Sequence, residues 1–256
     1  MNIMHQPLLQ GRRVLITGGA RGLGLEFARV VAGHGARVVI ADLLADLAAD
    51  SASALRTQGF DVQALPLDLA DPASIETCAQ AAAAALGGGL DGLVNNGAIT
   101  NSGGRSYAEL EVDIWDRVMS VNVRGTWLMT RACADALTAS GRGSVVNLAS
   151  DTALWGAPNL MAYVASKGAV IALTRSFARE LGASNITVNA VAPGLTLVEA
   201  TQYVPEQRHR LYREQRALPR DQMPQDVSGA VVYALSDLSR FVTGQLFAVN
   251  GGFVMH

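Results

Sequence analysis

From Arg13 onward, short runs of β-branched and aliphatic residues alternate with longer stretches whose apolar positions recur at helical spacing. The runs Val14 to Thr17, Val38 to Ala41 and Leu90 to Asn95 read as strands, and so do Val62 to Leu67, Ser144 to Ala149, Thr187 to Ala192 and Leu246 to Val249. Strands in strict alternation with helices predict βαβ units on a seven-stranded parallel sheet, an α/β fold wound on both faces. Asp71-Pro72 marks one helix start, with Asp71 as N-cap and Pro72 in the first turn, and Gly87-Gly88-Gly89 marks its end. The polar, proline-punctuated stretch from Leu195 to Met223 breaks the rhythm and reads as a substrate-binding lid. No linker or repeat divides the chain, so residues 1–256 are expected to form a single domain.

Composition narrows the function classes. With 50% apolar and 16% charged residues the chain is too hydrophobic to be disordered, yet no apolar run reaches the roughly 18 residues of a membrane span. The 20 basic and 22 acidic residues nearly cancel, so neither nucleic acid nor a membrane surface is expected as a partner. Met1 to Gln10 lacks the basic and apolar regions of a secretory signal, and Cys78 and Cys133 are too far apart for a disulfide framework. A cytoplasmic location is the expectation. His5, His34, His209 and His256 do not cluster, so no metal site is expected. Lys167 is the sole lysine among cations that are otherwise all arginine, which marks it as a place where a compact ammonium is needed.

Thr17-Gly18-Gly19-Ala20-Arg21-Gly22-Leu23-Gly24 follows the first strand and opens the first helix. Glycines there let the backbone turn sharply and approach a pyrophosphate, whose charge then sits on the helix N-terminus. Asp42 ends the second strand, where a carboxylate can accept both adenosine-ribose hydroxyls or simply cap the next helix. The first reading favours NAD, since the same carboxylate repels a 2′-phosphate. Arg21 can attract that phosphate or pair with Asp42. Asp68, with Leu69 beside it, follows the third strand and either meets the adenine or ends the strand in a turn. Asn95-Asn96-Gly97-Ala98 ends the fourth strand at the sheet edge where ligands bind, although asparagines before glycine are also turn formers.

Tyr163 and Lys167 are four apart in Met161 to Leu181, whose pattern is helical, so both share one face. A phenol of pKa near 10 must drop by roughly 3 units to act as a base at neutrality, and a cation about 4 Å away supplies about that much. Ser150 ends the fifth strand, with Asn147 and Asp151 nearby, and offers a hydroxyl to a substrate carbonyl. Asn122 is a polar residue inside an apolar-periodic helix, where it either satisfies a backbone group at a kink or holds a water in a proton path.

These residues resemble the short-chain dehydrogenase/reductase family along nearly the whole chain. Its TGxxxGxG motif is matched at Thr17, Gly18, Gly22 and Gly24, its NNAG-type motif at Asn95 to Ala98, and its YxxxK motif at Tyr163 and Lys167. The resemblance implies a single doubly wound (Rossmann) domain with Tyr163 as general acid/base, Ser150 orienting the substrate, and Lys167 binding ribose and lowering the tyrosine pKa. It makes Asn122 the holder of a relay water. The implied cofactor contacts are Gly18, Arg21, Gly22, Leu23, Gly24, Asp42, Asp68, Leu69, Asn95, Gly97, Tyr163 and Lys167. They extend to Pro193, Gly194 and Thr196, with Val198 standing where many members have threonine. A homotetramer or homodimer is implied, built on the helix after Tyr163, where Ala162, Ala165, Ala169 and Ala172 allow close approach. The end from Gly251 to His256 is expected to reach a neighbouring subunit.

Trp155, Leu160 and Tyr203, together with Leu154, Met161, Leu195 and Val204, either form an apolar substrate pocket or belong to core and subunit contacts. Arg208, Arg210, Arg213, Arg216 and Arg220 either anchor an acidic substrate or belong to a solvated helix laced with ion pairs, Glu206 and Glu214 flanking Arg210. The expected function is hydride transfer between NAD and a small-molecule secondary alcohol or ketone, hydrophobic, cyclic or aryl. The rival within the class is an NADPH-dependent ketone or 3-oxoacyl reductase using Arg21. Outside it stands a dinucleotide-binding sensor, against which the complete Ser150, Tyr163 and Lys167 set argues.

Overall fold

The computed structural model, which describes residues 7–102 and 104–255, forms one parallel sheet in the order β3-β2-β1-β4-β5-β6-β7. The strands are β1 (Arg13–Thr17), β2 (Arg37–Asp42), β3 (Val62–Pro66), β4 (Gly92–Asn95), β5 (Ser144–Leu148), β6 (Thr187–Pro193) and β7 (Leu246–Val249). These match the expected strands, with β4 beginning two residues late because Leu90 and Asp91 form the turn that leads into it. Between them run α1 (Gly22–Gly33), α2 (Ala45–Thr57), α3 (Pro72–Ala85), α4 (Val112–Met119), α5 (Thr126–Ala139), α6 (Thr152–Trp155), α7 (Met161–Leu181), α8 (Glu206–Gln215) and α9 (Pro224–Leu235).

Strand periodicity decides the two layers. Val14 and Ile16 of β1 pack with Phe27 and Val31 of α1 and Val231 of α9. Leu15, pointing the other way, packs with Ile75 of α3, Met129 of α5 and Val188 of β6. Asp71 caps α3 as expected, its Oδ1 accepting from the Ala73 N–H at 2.9 Å, with Pro72 in the first turn. The sheet order reverses at β1 and β4, so the loops leaving these two strands diverge and open a crevice at their carboxyl ends.

At the opposite edge of the sheet one carboxylate joins three strands. Asp91, wholly buried, accepts from Arg13 Nε at 2.9 Å, from the Arg13 main-chain N–H at 2.9 Å and from Arg142 Nε at 3.0 Å. Its own carbonyl accepts from the Ser144 N–H at 3.0 Å, so β1, β4 and β5 start in register. Burial alone would raise this carboxyl, but the hydrogen bonds from Arg13 and Arg142 hold it down at about 2.

The stretch 195–223 carries more structure than a plain loop. Thr196 pairs with Gln222 in a parallel bridge, and α8 lies between them. The ion-pair reading of its arginines holds in kind but not in partner, since Glu206 pairs with Arg213 rather than Arg210. It fails for Arg216, which is buried and donates to the carbonyls of Leu195 and Arg220. His5 and His256 lie outside the described residues, as do residues 1–6 of the expected leaderless start. Among the described residues no helix is long and apolar enough to cross a membrane.

Because Asp91 has a folded pKa below its unfolded one, its contribution to stability is complete above about pH 4 and is lost as pH falls toward about 2. Asp91→Asn is expected to lower the unfolding free energy by about 1–3 kcal/mol at pH 7, the arginines being partly solvated. Urea melts of both proteins at several pH values should draw together as pH falls from about 4 to about 2.

Candidate active site

The crevice at the carboxyl edge is a cleft of about 970 Å³ running from Asp42 and Asp68 past the glycine loop to Ser150 and Tyr163. Its floor is glycine for steric reasons. A Cβ on Gly18 would stand 2.6 Å from Gly97 Cα, and one on Gly24 would stand 2.0 Å from the Gly18 carbonyl oxygen. Gly18 also has φ +66 and Gly22 φ +58, in the left-handed region that side chains disfavour. Helix α1 begins here without a side-chain cap, so its first-turn N–H groups are left for an anion. A polyphosphate backbone fits this cradle, which a methyl group would fill.

One side chain that the sequence reading passed over holds the loop in place. Asn96, not Asn95, lies in the cleft wall, and its Nδ2 donates to the carbonyls of Thr17 and Gly18, both at 2.9 Å. The Thr17 hydroxyl accepts from the N–H groups of Asn96 at 3.1 Å and Gly97 at 3.0 Å. Asn95 is turned into the protein, where its Nδ2 donates to Thr130 and Asn147. Its expected cofactor contact is therefore corrected to an internal one. The alternation of strand side chains is the reason: successive residues at the end of β4 point to opposite faces.

At the adenosine end, Asp42 accepts from Ala20 N–H through Oδ2 and from Leu44 N–H through Oδ1, both at 3.0 Å. The carboxylate is thus held at the mouth of the loop, and α2 starts beyond it with Leu44 as N-cap, so Asp42 is not the helix cap. Arg21 lines the same end, exposed, and makes no ion pair with Asp42. Asp68 turns the chain after β3, its Oδ1 accepting from the Ala70 N–H at 2.8 Å, while it and Leu69 line the cleft. Leu23, Gly97, Pro193, Gly194 and Thr196 line it too, with the Thr196 hydroxyl turned back onto the Gly194 carbonyl at 3.0 Å.

At the other end, Tyr163 and Lys167 stand on one face of α7, and Tyr163 faces the same stretch of cleft wall as Ser150. Ser150 accepts from the Thr152 hydroxyl at 2.9 Å. Lys167 is buried, donates to the Leu148 carbonyl at 2.6 Å and lies 5.7 Å from the Tyr163 ring centroid. Lys167 is not among the groups that set the direction of the phenol in the protein alone. Burial raises Tyr163 above the ordinary phenol range, opposed by the Ser150 hydroxyl, and burial brings Lys167 down to about 8. Both charged forms lose water, and the ammonium spends its closest contact on a carbonyl rather than on the phenol.

Asn122 sits in a π-helical turn, Ser120–Gly125, between α4 and α5. Its Oδ1 accepts from the Ile99 N–H at 2.8 Å, and its Nδ2 donates to the Ile99 carbonyl and to Ser166 Oγ, both at 3.0 Å. It therefore satisfies backbone at a kink, tying the loop after β4 to α7.

Of the three expected substrate-pocket residues, Leu160 and Tyr203 line the cleft and Trp155 does not. Trp155 lies behind the wall, its indole N–H donating to the Tyr212 hydroxyl at 3.1 Å and its ring edge-on to Phe253 at 5.5 Å. Tyr212 is the wall residue, stacked on Phe253 at 4.1 Å. The C-terminal segment expected to reach a neighbour thus packs Phe253 within its own chain. Tyr203 donates to the Thr100 carbonyl at 2.7 Å, closing the 195–223 stretch over the loop after β4. Tyr212 gave no periodic signal because it is the lone buried residue of an otherwise polar helix.

A family model described as enoyl-(acyl carrier protein) reductase matches residues 18–254. The chain is 38% identical to 2-(S)-hydroxypropyl-CoM dehydrogenase 3 of Xanthobacter autotrophicus, over 95% of this chain and 97% of that protein. It is 39% identical to a 3-alpha-(or 20-beta)-hydroxysteroid dehydrogenase of Mycobacterium tuberculosis, over 96% of this chain and 90% of that one. A crystal structure from Sinorhizobium meliloti, of a protein assigned as a short-chain alcohol dehydrogenase, superposes with a TM-score of 0.90 at 32% identity, covering 97% of this chain and 98% of that one. The chain belongs to the short-chain dehydrogenase/reductase family, whose dehydrogenases use nicotinamide dinucleotides.

Gly24→Ala is expected to lower the melting temperature far more than Gly22→Ala. The first pushes a methyl group into backbone, whereas the second brings it only into ordinary contact with Val198 and Glu199 and bears the strain of its φ, about 1 kcal/mol. Paired thermal melts check the order.

Proposed function

We propose that this member of the family transfers hydride between NAD(H) and a secondary alcohol or ketone of hydrophobic, cyclic or aryl character. The observation that carries the reading is the joining, in one cleft, of a held carboxylate at one end and of Ser150, Tyr163 and Lys167 at the other. Asp42 would hold the adenosine ribose, the glycine loop the pyrophosphate, and Lys167 the nicotinamide ribose. When bound, the dinucleotide supplies the hydride acceptor or donor and, in its oxidised form, a positive charge at this end of the cleft.

In the oxidation direction, Tyr163 Oη takes the hydroxyl proton of the substrate while Ser150 Oγ holds the same oxygen. Thr152 donates to Ser150, which leaves the serine proton free to point at Tyr163 or at substrate. The raised phenol is suited to act as an acid in reduction. For oxidation it needs the neighbouring positive charge, which explains why Lys167 is kept buried and close. Asn122 would act here by holding the π-helical turn against Ile99 and Ser166, with the relay water of the family left to main-chain groups of that turn. Leu160 and the Tyr203 and Tyr212 rings give the substrate end apolar walls, in keeping with the cyclic alcohols in the hydroxysteroid relative's name. Arg21, exposed at the cleft wall, favours the second reading, an NADPH-dependent carbonyl reductase.

The two buried thiols, Cys78 and Cys133, suit a reducing cytoplasm, and the small face of α7 is the proposed contact for a homodimer or homotetramer.

Tyr163→Phe is expected to keep NAD affinity and to lower turnover by about 10²–10⁴-fold. Dinucleotide titration by fluorescence, beside NADH formation from a panel of aliphatic, cyclic, aryl and polyol alcohols, checks both halves. Undiminished turnover would remove Tyr163 as the base. Asp42→Ala should raise NADP affinity relative to NAD if the carboxylate selects the cofactor, and an unchanged ratio would favour the NADPH reading.

A further inference from the structure

The residue after Ser150 is a carboxylate that the reaction above does not use. Asp151 is fully buried in the wall of the cleft, and every element packed on it presents a group to it. From α8, the Tyr212 hydroxyl donates to Oδ1 at 2.8 Å while accepting the Trp155 indole N–H. Just past α8, the Arg216 guanidinium lies 4.9 Å from the Tyr212 ring centroid and attracts the carboxylate. Beyond β7, the Asn250 amide lies nearby but donates to the Val254 carbonyl at 3.0 Å, and the Thr152 N–H at the start of α6 donates to Ser150 Oγ at 3.3 Å, so neither neutralises the carboxylate. From α7, Tyr163 lines the same cleft as Asp151, so ionising both would set two negative charges against each other. Oδ2 has no hydrogen-bond partner.

We propose that Asp151 is a second ionisable group of this active site, a positioning residue that ties α8 to the catalytic strand and couples that tie to the charge on Tyr163. This rests on the reading of Tyr163 as the acid/base. The coupling follows from the arrangement. The Tyr212 hydrogen bond favours the ionised carboxylate, and the ionised carboxylate opposes a phenolate at Tyr163. With α8 seated, Asp151 holds its charge and Tyr163 holds its proton. When Tyr163 gives up that proton, Asp151 is drawn toward its neutral form and the Tyr212 bond weakens. Linkage requires the effect in both directions. Burial, only partly offset by Tyr212 and Arg216, raises Asp151 to about 7, so the exchange falls in the working pH range.

The test uses the full chain carrying Trp115→Phe and Trp127→Phe, which leaves Trp155 as the only indole. Trp155 fluorescence is expected to show one transition near pH 7, and Asp151→Asn should abolish it. The acidic limb of the kcat profile for NAD-dependent oxidation should move to lower pH by on the order of one unit in Asp151→Asn. Tyr212→Phe should move it the same way by less, because Asp151 then stays neutral to higher pH. A purely structural role would lower kcat at every pH and leave the limb in place. An unmoved limb, or a Trp155 transition that survives Asp151→Asn, overturns the proposal. Absence of oxidation at any pH would sink the functional reading alone. The coupling would then be decided by phenolate absorbance, as the difference between chains with and without Tyr163→Phe, where Asp151→Asn must lower the pH of ionisation.

Discussion

One threonine hydroxyl joins the two strands between which the sheet reverses. Thr17 ends β1, and its Oγ1 accepts main-chain N–H groups from Asn96 and Gly97 at the end of β4 while donating to the Val94 carbonyl. Asn96 returns the contact by bonding the carbonyls of Thr17 and Gly18. The close approach this imposes is why Gly18, Gly24 and Gly97 can carry no side chain. It is also what leaves the α1 N-terminus open beneath the cleft. The phosphate cradle is thus a consequence of how two strand ends are bonded, and the glycines are the condition for that bonding.

The chemistry at the far end is governed by burial. Moving a phenol and an ammonium out of water disfavours both charged forms, and the pair is not brought close enough to compensate. A site in this state is poised toward proton donation from Tyr163, and toward proton uptake only when further positive charge arrives. The direction of proton transfer is therefore coupled to what else occupies the cleft. Ser150 is the one neighbour that favours the phenolate directly, and it is itself held by Thr152 from the first turn of α6.

The layers and the clustering of Ser150, Tyr163 and Lys167 in one cleft were legible because they rest on short-range rules. The β-branched runs marked the strands in their order along the chain, and helical spacing put Tyr163 and Lys167 on one face. Asn95 and Asn96 show where such rules stop, since the motif names both and only the register of the last β4 residue says which points into the cleft. Trp155 shows another limit. Its apolar bulk predicts a pocket wall, but the hydrogen bond to Tyr212 turns it behind that wall, and Tyr212 comes from a helix whose pattern is polar throughout. Arg216 was read with its exposed neighbours for the same reason. Burial of a polar side chain depends on partners distant in sequence, here the Leu195 carbonyl and Gln222.

The substrate end differs from the cofactor end in how it is held. The glycine loop is braced at the sheet edge by bonds between Thr17, Asn96 and main-chain groups, whereas α8 is tied by side chains to the segment that follows β5, Tyr212 to Asp151 and Arg208 to the Pro158 carbonyl. The bridge between Thr196 and Gln222 anchors the base of the 195–223 stretch, and Tyr203 pins its far side to Thr100. A segment fixed at its base by backbone and at its tip by single hydrogen bonds can open without disturbing the sheet. Its buried side-chain tie ends on the carboxylate next to Ser150, so opening the segment and changing the charge at this end of the cleft are linked.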